Sequence, residues 1–96
     1  MSKAHALETQ IAAAFADGVK SNELSALIVQ VETAAHSAGE AAEQARKQAL
    51  DPVLTANAIV ESRRQMEDSA FGRERLQTAV SRLRERLKEV RAQEEN

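Results

Sequence analysis

The chain has 96 residues, 13 basic and 15 acidic side chains and a net charge of −2, which suits a single domain with no general attraction to nucleic acid or anionic membrane. It has no cysteine, tryptophan or tyrosine and only two phenylalanines, which excludes disulfide frameworks, thiolate metal sites, thiol nucleophiles and aromatic base-stacking platforms. Its hydrophobic content of 43% includes 19 alanines, so the core is small for a monomer, and self-association or a partner over an apolar stripe is expected.

The first predicted element is a short helix over about 3–17. Leu7, Ile11, Ala14 and Phe15 recur at helical spacing, and Gly18 stands where a helix end needs positive φ. No apolar run approaches the roughly 20 residues that span a bilayer. The early acid Glu8 does not suit a secretory leader, so the expected location is the cytoplasm. The terminal His5 carries no assignment.

A second helix is predicted over 22–50, capped by Ser21 or Asn22, with Glu23 in its first turn. Three adjacent heptad columns are apolar, a stripe wide enough to face a bundle. The stripe is bulky from Leu24 to Val31 and almost pure alanine from Ala34 to Ala49. Small residues let a neighbouring backbone approach closely. Gly39 falls on the polar side, with no reason visible in the pattern.

Asp51-Pro52 contains the only proline. Asp is a good N-cap, and proline fits the first helical position while disfavouring helix before it. The expected fold class is therefore all-α, a single domain over 1–96. It is a long antiparallel, coiled-coil-like helical hairpin reversing at Asp51-Pro52, with the short N-terminal helix beside it, self-associating into a helical bundle. The third helix is predicted over 52–91, with a possible bend near 68–72 at Gly72 and frayed residues from Glu94 onward. Reversal at that dipeptide sets Ala38 against Met66, Ala34 against Ser69, Ile28 against Leu76 and Leu24 against Val80. Leu76, Val80, Leu83, Leu87 and Val90 alternate four and three apart as a coiled-coil seam. On this register Leu83, Leu87 and Val90 overhang the second helix and form the expected self-association or partner seam. Phe71 is expected to pack beside Gly72.

Glu32, His36 and Glu40 share one helix face, but it points away from the apolar stripe and reads as a solvated ladder rather than a metal site. No carboxylate pair, Gly-x-Ser-x-Gly elbow or phosphate loop is present, so no catalytic residue, cofactor or metal is assigned. Between Arg73 and Arg91 basic side chains outnumber acids by four. Arg82, Arg84, Arg86 and Lys88 are candidates for phosphate contact, set against the simpler reading that they flank a seam and pair with acids. The expected function is a non-catalytic protein–protein interaction or assembly module, a homodimer or the partner of another helical protein. The alternative is a small nucleic-acid-associated accessory protein of phage or plasmid type, contacting the backbone through 73–91.

Overall fold

Alanine-rich, nearly glycine-free segments favour helix throughout, and the computed structural model contains α1 (Lys3–Ala13), α2 (Ser21–Ala49) and α3 (Ala56–Glu95), with no strand among the described residues. Lys3–Glu95 are described, with side chains from Ala6 onward. Met1 and Ser2 of the leader reading, the His5 side chain and the terminal Asn96 lie outside them. The expected all-α hairpin is what is found: the two long helices pack against each other, preceded by the short one. The chain divides into two compact units, one built from the chain up to Glu32 and from Gln77 onward, the other from Thr33–Leu76.

In the first unit the bulky part of α2 forms a conventional core. Leu24, Leu27, Ile28 and Val31 are buried, as are Val80, Leu83 and Val90 of α3 and Ala14. Phe15, expected in the α1 stripe with Ala14, is instead exposed. Helix α1 stops at Ala13, short of the expected 17, because its last amides turn to nearer carbonyls. Ala14 N–H is shared between Gln10 and Ile11, while Phe15 and Ala16 donate three residues back to Ala12 and Ala13. Gly18 then takes φ +86°, a conformation open to glycine at little cost.

The register in this unit corrects the expected pairing. Ser21 meets Glu94 and Glu32 meets Arg84, roughly three helical turns further along α3 than reversal at Asp51-Pro52 requires. The start of α2 therefore lies against the end of α3. Leu83 and Val90 do not overhang: Leu83 is 0% exposed and Val90 3%.

The turn supplies part of the shift. Pro52 does not begin α3. The Asp51 carboxylate accepts from Val53 N–H at 3.0 Å, and the Asp51 carbonyl accepts from Leu54 N–H, so Asp51 caps a turn rather than a helix. Thr55 is the N-cap: its carbonyl takes the first helical bond from Ile59, and its hydroxyl accepts from Ala58 N–H at 3.3 Å. Once begun, α3 is helical throughout 68–72.

In the second unit the helices meet through small residues. Ala35, Ala42, Ala45 and Ser62 are the buried ones. Gly39, expected on the polar side, faces α3. A Cβ there would stand 3.1 Å from Arg73 Cδ, so the missing side chain leaves passage for the Arg73 stem. With Gly39 against Arg73, Met66 falls level with the last turns of α2 and not with Ala38. The expected matching of Met66 to Ala38 therefore does not occur.

Candidate interaction surface

The seam expected to bind a partner lies inside the protein's own core. Val80, Leu83 and Val90 are buried, and Leu76 and Leu87 are half-buried. The periodicity marks a packing face, and the later register supplies its cover from within the chain.

The basic candidates are mostly engaged. The Arg86 guanidinium donates to the Ala14 carbonyl at 3.3 Å and the Ala16 carbonyl at 3.1 Å, and pairs with Glu89 at 3.2 Å. Its side chain is only 14% exposed. A helix end leaves carbonyls without intrahelical donors, and a buried cation beside them satisfies both hydrogen bonding and the dipole. Arg86 is thus a clasp closing the segment after α1. Arg84 lies 3.5 Å from Glu32, and Lys88 lies 3.3 Å from Glu85. Among the described residues, Arg82 alone of the four has no ion-pair partner.

Glu94, expected to fray, caps α2. Its carboxylate accepts from Ser21 N–H at 3.0 Å and from the Ser21 hydroxyl at 2.7 Å. These bonds favour the charged form and hold its pKa below the ordinary 4.5. Neither Arg86 nor Glu94 was recognisable as a cap, because each acts on a helix more than seventy residues away.

Elsewhere, His36 Nε2 lies 2.6 Å from Glu40, with both side chains well exposed. Among the described residues, no group of three histidine or acidic side chains is placed to hold a metal. An open crevice of about 430 Å³ lies beside Ala14, Gly18, Leu24 and Leu27, with Gln10 and Glu23 at its edge. No helix among the described residues is long and apolar enough to cross a membrane.

The unaccounted feature is on the second unit. Leu50, Val53, Val60 and Phe71 are all exposed, Val53 by 86%. Phe71 does not pack beside Gly72 as expected. Val60 and Phe71 are out of phase with the core-facing residues Ala58, Ser62, Ser69 and Leu76, the signal by which their exposure could have been read. Arg64, on the same outer side, pairs with Glu61 and Asp68. The hydrogen bonds that Arg64 donates to Glu61 lower the Glu61 pKa and raise that of Arg64.

No family model, curated protein or solved structure matches the chain.

Proposed function

We propose that the chain is a non-catalytic protein–protein interaction or assembly module acting in the cytoplasm, and that it associates, with a second copy or another helical protein, through the Thr33–Leu76 unit. The supporting observation is the inverted allocation of side chains there. The buried positions hold Ala35, Ala42, Ala45 and Ser62, while Leu50, Val53, Val60 and Phe71 face outward. The first unit buries large side chains at Leu24, Val31 and Leu83, with Phe15 and Val29 exposed. Scattered exposed apolar residues are ordinary, but four large ones on a unit with no large buried side chain make a surface suited to being covered. The phosphate-contact alternative has less support, since Arg86 is turned inward onto the Ala14 and Ala16 carbonyls, while the pairs at Arg84 and Lys88 are exposed.

Light scattering over a range of concentrations, with and without Val53→Asp/Val60→Asp, tests this reading. The expected result is association of the wild-type chain, alone or with a captured helical protein, that the double variant loses at unchanged helicity. A wild-type chain that remains monomeric and captures nothing that the variant fails to capture would overturn it.

A further inference from the structure

We infer that two copies of the chain pair antiparallel through the outer face of α3 between Val60 and Phe71. The inference deepens the proposed function by naming the partner and the contact, and it rests on that reading.

Val60, Arg64, Glu67 and Phe71 are spaced four, three and four apart, the spacing of a coiled-coil seam. They lie on the side of α3 opposite the face that carries Ala58, Ser62, Ser69 and Leu76 towards α2. All four are exposed, Val60 by 67% and Phe71 by 64%.

The charges between the two apolar ends are ordered. Arg63-Arg64 comes first and Glu67-Asp68 follows. A second copy running in the opposite direction, about a two-fold axis between Gln65 and Met66, meets this segment with its order reversed. Val60 of each copy then faces Phe71 of the other, and each Arg63-Arg64 pair faces the other's Glu67-Asp68. Such a patch is self-complementary, as an isologous contact requires. A parallel pairing in register would set arginine against arginine and acid against acid.

The free charges fit this use. Among the described residues, Arg63 and Glu67 make no ion pair or side-chain hydrogen bond. Arg64 pairs with Glu61 and lies 3.2 Å from Asp68, both on its own helix, exposed pairs that cost little to share. Two apolar residues and four charges from each copy make a small interface, of the transient class.

Charge reversal provides the test, read by sedimentation velocity in low salt with helicity checked by circular dichroism. Wild-type protein is expected to dimerise, and to do so more weakly as salt rises. The variants R63E/R64E and E67R/D68R are each expected to be monomeric, and their equimolar mixture to form a one-to-one pair. Phe71→Ser, which leaves every charge in place, is expected to raise the dissociation constant about tenfold or more. A wild-type dimer that persists in both reversal variants would overturn this geometry while leaving the interaction reading standing on another surface. A wild-type chain that stays monomeric would overturn the inference, and the proposed function would then rest on capture of a different helical protein.

Discussion

Two side chains close the first unit, and neither does so through bulk. Arg86 bridges the carbonyls of Ala14 and Ala16 from a nearly buried position. Hydrogen bonds to a charged donor contribute about 1.5–3 kcal/mol, so Arg86→Ala is expected to lower stability by roughly that amount. The loss should appear as a lower denaturation midpoint and faster proteolysis between Ala13 and Ser21, and Arg86→Lys, unable to span both carbonyls, should recover only part of it. Glu94 acts through ionisation. Its folded pKa is depressed by the Ser21 hydrogen bonds, so its contribution is present above the ordinary 4.5 and is lost as pH falls through the lower folded value. Ser21→Ala removes the hydroxyl and should move the Glu94 carboxyl titration, followed by NMR, upward towards 4.5. An unchanged titration would mean that the backbone bond alone sets the shift.

At the scale of elements, the interiors of the helices were readable and their ends were not. Heptad columns in α2 and the Leu76–Val90 periodicity announce two long helices, and the sole proline marks the reversal between them. The start of α3 was misplaced because Asp51 has two local uses. As an N-cap it would begin a helix at Pro52; in the structure its carboxylate accepts from Val53 N–H and leaves capping to Thr55. Nothing in the local pattern ranks those outcomes, and the displaced register carried the expected seam into the core. Arg86 and Glu94 were invisible for the same reason, since their partners are assigned only once the register exists. Gly18 was readable because its requirement is local. Its φ of +86° disfavours any side chain, although nothing lies within 4 Å of where a Cβ would stand. Gly18→Ala should therefore cost about 1 kcal/mol of backbone strain without a steric clash. Gly18→Asn, which tolerates this conformation better, should cost less in the same denaturation measurement.

Across the whole molecule, one pair of helices serves two different kinds of core. Around Leu24, Val31 and Leu83 large side chains are fully buried, each contributing about 1.5–3 kcal/mol relative to exposure. In the Thr33–Leu76 unit the fully buried side chains are alanine and serine, with Leu54, Ile59, Met66 and Leu76 only half-buried, and the area removed from water offers less. Helices α2 and α3 each run through both units without interruption, so continuity of the backbone does not equalise local stability. Amide hydrogen exchange in dilute solution should show this. Amides near Ala42, Ala45 and Ser62 should exchange at least about tenfold faster than those near Val31 and Leu83, a difference of about 1.4 kcal/mol in opening. Self-association would act on one unit only, because Val60 and Phe71 both belong to Thr33–Leu76. Anything that binds the folded form stabilises it by mass action. Raising the protein concentration should therefore slow exchange between Val60 and Phe71 while leaving amides near Leu24 and Val31 unchanged. Uniform protection at every concentration would show that the alanine core is sufficient by itself and that the outward apolar residues leave local stability unaffected.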